Sequence, residues 1–142
     1  MYGFGMVLGR AGALLAALAM LAACARTPEV NKRPHSGTGT ATPAENGVQQ
    51  VVVKSGVNLR FDPSTIVVHP GRVRIVLVNT AAKGAGPVHN LTFRGLPGAD
   101  SVPDVQAGYA ASVTFDAPAP GTYSFVCTIH ANQGQTGKLI VK

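Results

Sequence analysis

From Gln49 to Val141 the apolar residues recur at every second position in short runs, and Gly, Pro, Asn or Asp bound most of the runs. That period belongs to half-buried β-strands, and no stretch keeps a 3.6-residue period long enough for a helix. In Arg72-Val73-Arg74-Ile75-Val76-Leu77-Val78-Asn79, the residues Val73, Ile75 and Leu77 share one face, and the two arginines mark the other as partly solvated. His69-Pro70-Gly71 just ahead has Pro and Gly placed as in a type II turn, which makes His69 a turn residue. Similar runs predict strands at Gln50 to Lys54, Val57 to Phe61, Ile66 to Val68, His89 to Arg94, Tyr109 to Asp116, Thr122 to Cys127 and Gly137 to Val141. Seven or eight short strands with turn signals about every ten residues predict an all-β fold, a sandwich with Greek-key connections. Parity then orients two reactive side chains. His89 shares its face with Leu91 and Phe93, and Cys127 shares its face with Tyr123 and Phe125, so both are expected to point inward near strand ends.

The chain changes character before Gln49. Residues 1–23 carry Arg10 as their only charged side chain and run apolar from Ala11 to Ala23, the layout of a signal peptide. The apolar run is too short to span a bilayer, because a helix rises ~1.5 Å per residue and the hydrocarbon layer is ~30 Å thick. It ends Leu21-Ala22-Ala23-Cys24, which resembles the lipobox of bacterial lipoproteins. The resemblance implies acylation of Cys24 and anchoring at the cell envelope, on the outer face of the cytoplasmic membrane or the outer membrane. The alternative is an ordinary signal peptide with a chance cysteine. Residues 24–48, rich in Pro, Thr and Gly, read as a flexible tether, in which His35 has no fixed geometry for a metal. A domain over 49–142 is expected to follow.

Composition adds limits rather than identity. The 142 residues leave room for one ordinary domain, and 17 Gly, 10 Pro and no Trp describe a loop-rich one. The net charge of +6 comes from scattered basic residues that never form a run in the domain, so a solvated surface is expected and nucleic-acid binding is not. A body of about ninety residues buries only a modest core, and a bound metal would help to stabilise it.

The chemistry concentrates in three residues. Only Cys24 and Cys127 exist. If Cys24 is lipidated, Cys127 has no disulfide partner in an oxidising compartment. Metal ligation would hold and shield its thiolate; an inert buried thiol is the other reading. His130 follows three residues later, where a turn can bring sulfur and imidazole onto one ion, and His89 completes a His2Cys set. Two imidazoles and one thiolate with a weak axial group suit copper in electron transfer, whereas structural zinc usually takes four strong ligands.

The stretch Tyr123-Ser-Phe-Val-Cys127-Thr-Ile-His130-Ala-Asn-Gln-Gly-Gln135-Thr-Gly-Lys-Leu-Ile-Val141 resembles the copper-binding loop of the plastocyanin and pseudoazurin branch of the cupredoxins. Phe61-Asp-Pro-Ser-Thr-Ile-Val-Val-His-Pro-Gly-Arg-Val and Val88-His89-Asn90 resemble that family's early strand pair and first-histidine segment. The resemblance implies one type 1 copper per chain, held by His89, Cys127 and His130 and cycling between Cu(I) and Cu(II). It also gives Asn90 the task of tying the histidine strand to the cysteine loop. The chain departs from the pattern at the axial position, where the family usually has methionine five residues after the second histidine; here that residue is Gln135, as in the stellacyanin branch, with Gln133 as a second candidate. Small residues around the histidines (Gly84, Ala85, Gly86, Pro87, Ala131, Gly134) would leave a low apolar rim beside the His130 edge.

The implied activity is that of an electron carrier, not an enzyme, acting as a monomer with protein redox partners. A copper storage or delivery module is the alternative.

Overall fold

The computed structural model describes residues 37–142 apart from Ala44, Pro97 and Asp100. The signal-peptide and lipidation expectations, including Cys24, and His35 lie outside the described residues. The strands are β1 (Thr38–Thr40), β2 (Thr42–Pro43), β3 (Gln49–Ser55), β4 (Thr65–Val68), β5 (Arg72–Asn79), β6 (His89–Arg94), β7 (Val102–Val105), β8 (Ala110–Asp116), β9 (Gly121–Val126) and β10 (Thr136–Val141). They form two sheets, one in the order β1-β4-β10-β9-β6-β7 and the other β2-β3-β5-β8. Among the described residues no helix is long and apolar enough to cross a membrane.

The alternation works as expected on β5, where Val73, Ile75 and Leu77 are fully buried and both arginines are exposed. The inner faces meet in one core that includes Val51, Val53, Ile66, Val68, Leu91, Phe115, Phe125 and Leu139. Aromatic rings run through it: Phe125 stands edge-on to Phe61 at 5.2 Å and to Phe93 at 6.1 Å, and Phe93 meets Phe115 at 5.1 Å. Such edge-to-face pairs suit the ring quadrupoles, and here they fix the strand that leads into Cys127. His69 is exposed in the turn before β5, where the Gln49 side chain accepts from its N–H and donates to its carbonyl, both at 2.7 Å.

Three expectations about strands need correction. Val57 to Phe61 is a loop: Leu59 has φ +53°, Val57 is 76% exposed, and only a Lys54–Asp62 bridge pairs the two ends. Its alternating apolar residues do not share a buried face. β7 was not expected, because its buried residues Val102 and Val105 stand three apart around Pro103; it is the edge strand of its sheet, where proline is tolerated. Finally, β1 and β2 lie in the stretch read as tether. Thr38–Thr40 pairs in parallel with β4, and Thr42–Pro43 pairs with β3, so sheet pairing starts ahead of Gln49. Backbone hydrogen bonds, not apolar alternation, place these short strands.

Candidate metal centre

Three segments converge at one end of the sandwich. His89 opens β6, Cys127 follows the last residue of β9, and the loop from Cys127 to Gln135 leads into β10. The loop is closed on itself: Cys127 N–H donates to the Gln135 carbonyl at 3.0 Å, and Gln135 N–H to that of His130 at 3.2 Å. His130 N–H in turn donates to the Cys127 carbonyl at 3.2 Å. Gly134, at φ +85°, turns the chain under the Arg60 guanidinium, which donates to the Gln133 carbonyl at 2.7 Å.

The donor atoms of His89, Cys127 and His130 lie within 4.8 Å of one another. Cys127 Sγ is 3.5 Å from His130 Nδ1, and the two imidazole rings are 5.1 Å apart. His89 and Cys127 are fully buried, as strand parity predicted, and His130 is half-buried. Cys127 is the free cysteine among the described residues.

The two glutamines separate clearly. Gln133 has an exposed side chain and touches Arg60 through its backbone. Gln135 is fully buried, with Oε1 3.1 Å from His89 Nδ1 and Nε2 donating to Ser55 Oγ at 2.6 Å.

The hydrogen bonds indicate which His89 nitrogen is bare. The Gly56 carbonyl, 3.1 Å from Nε2, can only accept, so Nε2 carries the proton and Nδ1 presents a lone pair. Nδ1 thus faces the amide oxygen of Gln135, one acceptor against another. Protonating the ring would relieve this, but burial pushes the His89 pKa below its ordinary 6.5 and nearby His130 pushes the same way, against the Gln135 and Gly56 oxygens, which favour the protonated ring. A cation among the donors satisfies both lone pairs. Thiolate, imidazole and amide oxygen together are the set associated with copper in electron transfer, so the residues fit that metal.

Sequence reasoning missed several supports of the site. The Asn79 side chain donates to the Pro87 carbonyl at 2.8 Å and the Val105 carbonyl at 2.9 Å, which fixes the approach to His89. Ser55 lies opposite Asn79 in the β3–β5 register. Both are polar residues at inward positions of otherwise apolar strands, and that signal was readable. Asn90, which was anticipated, accepts from Thr128 N–H at 2.8 Å and donates to Thr128 Oγ1 at 2.8 Å and Asp104 Oδ1 at 2.9 Å, so β6 is tied to the residue after Cys127.

Residues 13–141 match the family model of the cupredoxin-like domain. Among solved structures, the chain is similar to auracyanin A, a "blue" copper protein of the green thermophilic photosynthetic bacterium Chloroflexus aurantiacus. The two are 26% identical, with 68% of this chain and all of that one covered and a TM-score of 0.58. It is also similar to an amicyanin variant with methionine replaced by glutamine, in the Cu(I) form, at 27% identity, 66% and 82% coverage and a TM-score of 0.50. The metal-binding domain of a Cu(I)-exporting P-type ATPase from Streptococcus pneumoniae shares the fold at 17% identity, with 75% and 96% coverage and a TM-score of 0.56.

Proposed function

Because the chain belongs to the cupredoxin-like domain family, we propose that it is a one-electron carrier holding a single copper ion between His89, Cys127 and His130, with Gln135 as the axial donor. The observation that supports this most directly is the convergence of one buried thiol with two imidazoles, one sealed in the core and the other half-buried at the surface.

When bound, copper supplies a one-electron couple between Cu(I) and Cu(II). The protein's share is to keep the donors still. Gly56 fixes the His89 tautomer, the hydrogen-bonded loop fixes Cys127 and His130, and the Phe125 strand anchors the loop in the core. Ligands held this way move little when the charge at the site changes, which keeps the reorganisation cost of electron transfer low. Water is excluded on the His89 side. The half-buried His130, flanked by Ala131 and by Ile129, which is 49% exposed, gives the electron a short route to a docked protein partner. The reading is of a carrier and not an enzyme: among the described residues the remaining histidine is His69, in an exposed turn, and it builds no second metal centre.

Export, acylation of Cys24 and tethering to the envelope membrane complete the proposal, with the protein monomeric and its redox partners proteins. They rest on the lipobox-like Leu21-Ala22-Ala23-Cys24. Labelled fatty acid should enter the wild type and not Cys24→Ala.

The optical spectrum tests the central claim. Adding Cu(II) to the purified protein should give an intense visible thiolate-to-copper band and a reversible potential, and Cys127→Ser should lack the band. Absence of the band from the wild type would remove the carrier assignment. A colourless protein that takes only Cu(I) would move the assignment to copper storage or delivery.

A further inference from the structure

An axial amide has two ends of nearly equal shape and opposite chemistry. Its oxygen can offer a lone pair to a metal; its NH2 group cannot. Apolar packing tethers neither end, so a chain that uses glutamine here needs a polar neighbour to hold the end that the metal does not take. Ser55, the last residue of β3, lies beside Gln135 with its side chain buried, at 3% exposure. A hydroxyl can serve either end of an amide; here its oxygen accepts from Gln135 Nε2 at 2.6 Å, which anchors that end while the amide oxygen lies on the side of His89 Nδ1, 3.1 Å away, free for a metal to take.

The next residue performs the matching task on the imidazole. The Gly56 carbonyl takes the Nε2 proton of His89 and leaves Nδ1 bare toward the same point. Two consecutive residues at the end of one strand thus hold the outer atoms of two donors. We propose that Ser55 is a positioning residue that anchors the NH2 end of the Gln135 amide and so holds its oxygen at the metal position. This rests on the reading of Gln135 as the axial donor.

Without the hydroxyl, the oxygen-inward amide would bury an NH2 group that lacks this acceptor, an unfavourable state in a site closed to water. The amide then has no fixed partner on that side, so its oxygen is held less firmly at the metal position and donates more weakly. Ser55→Ala therefore acts on the copper site through Gln135 alone. The backbone role of Ser55 is untouched, because its carbonyl accepts from Thr80 N–H at 2.7 Å and Thr80 Oγ1 at 3.0 Å whatever the side chain.

The experiment is a cycle of variants read by reduction potential and by electron paramagnetic resonance of the Cu(II) form. Ser55→Ala should raise the potential in the same direction as Gln135→Met and change the axial signature of the resonance spectrum. Ser55→Thr, which keeps a hydroxyl, should restore the wild-type values. Adding Ser55→Ala to Gln135→Met should give no further shift. In the diamagnetic Cu(I) protein, the Gln135 side-chain NH2 protons should exchange slowly with water in the wild type and faster in Ser55→Ala.

If Gln135→Met raises the potential and Ser55→Ala does not, Ser55 has no positioning role although Gln135 keeps its own. An equal Ser55→Ala shift with and without Gln135 would also overturn the proposal, since the effect would not pass through the amide. Should Gln135→Met itself leave the potential unchanged, the axial reading fails and this inference fails with it.

Discussion

The bare Nδ1 of His89 and the amide oxygen of Gln135 face each other across 3.1 Å at the buried side of the cluster, each with its other polar end already hydrogen-bonded. On the proposed reading, Gln135 supplies an oxygen donor in place of the methionine thioether that the family usually has five residues after the second histidine. An amide oxygen is the harder donor and favours Cu(II) over the softer Cu(I). Gln135→Met should therefore raise the reduction potential while the thiolate-to-copper band persists, as measured by redox titration followed in the visible. An unchanged or lower potential would take Gln135 out of the axial role.

Asn90 bridges the strand that carries His89 and the residue after Cys127. Asn90→Ala deprives Thr128 N–H and Thr128 Oγ1 of partners and leaves Asp104 without its amide donor. Asn90 is buried but Thr128 and Asp104 are exposed, so water replaces part of what is lost and the net cost is about 0.5–1.5 kcal/mol, read as a lower urea midpoint for the metal-free protein. The copper-loaded variant should also show a displaced or broadened thiolate band, because Cys127 is no longer steadied from behind. Asn90→Asp keeps the acceptor for Thr128 N–H but sets a second carboxylate against Asp104. It should therefore preserve the band position better than it preserves stability.

Much of this was readable in the sequence, and the failures share a cause. Strict alternation on β5 gave its buried face, and parity alone turned His89 and Cys127 inward. Alternation misled at Val57 to Phe61, where a residue at positive φ turns the backbone and breaks the face. β7, with its buried residues three apart, and the Thr- and Gly-containing β1 carry no two-residue period, so only backbone pairing reveals them. Gln135 could be named as a donor from its spacing after His130. That spacing already favours it over Gln133; the structure adds the burial of one and the exposure of the other, on either side of the turn at Gly134. Ser55 and Asn79 left a trace as polar residues at inward positions, but their partners come from distant segments, which no local pattern specifies.

Gly137 on β10 packs where any side chain would collide with the core. A Cβ there would press into the Phe125 ring and lie 2.6 Å from the Ser64 carbonyl oxygen. Overpacking of this kind costs about 1–3 kcal/mol, so Gly137→Ala should lower the thermal midpoint. Combining it with Phe125→Leu should cost less than the two losses added together, since the smaller side chain relieves part of the collision. Strict additivity would show that the ring contact is not the source.

The buried His89 makes the metal-free protein sensitive to acid in a predictable direction. Burial holds its folded-state pKa below the ordinary 6.5 that the unfolded chain keeps. Between those two values the unfolded state binds the proton and the folded state does not, so protons favour unfolding. Stability from this group is fully present above 6.5, falls as the pH drops below it, and levels off once the folded protein also protonates. Urea midpoints of the metal-free protein, taken from about pH 8 to about pH 5, should decline on the acid side, and His89→Asn should remove that part of the slope. A slope that survives the substitution would place the sensitivity elsewhere. Copper at Nδ1 competes with the same proton, so loading the wild type should shift the decline to lower pH, while metal affinity itself weakens with acid.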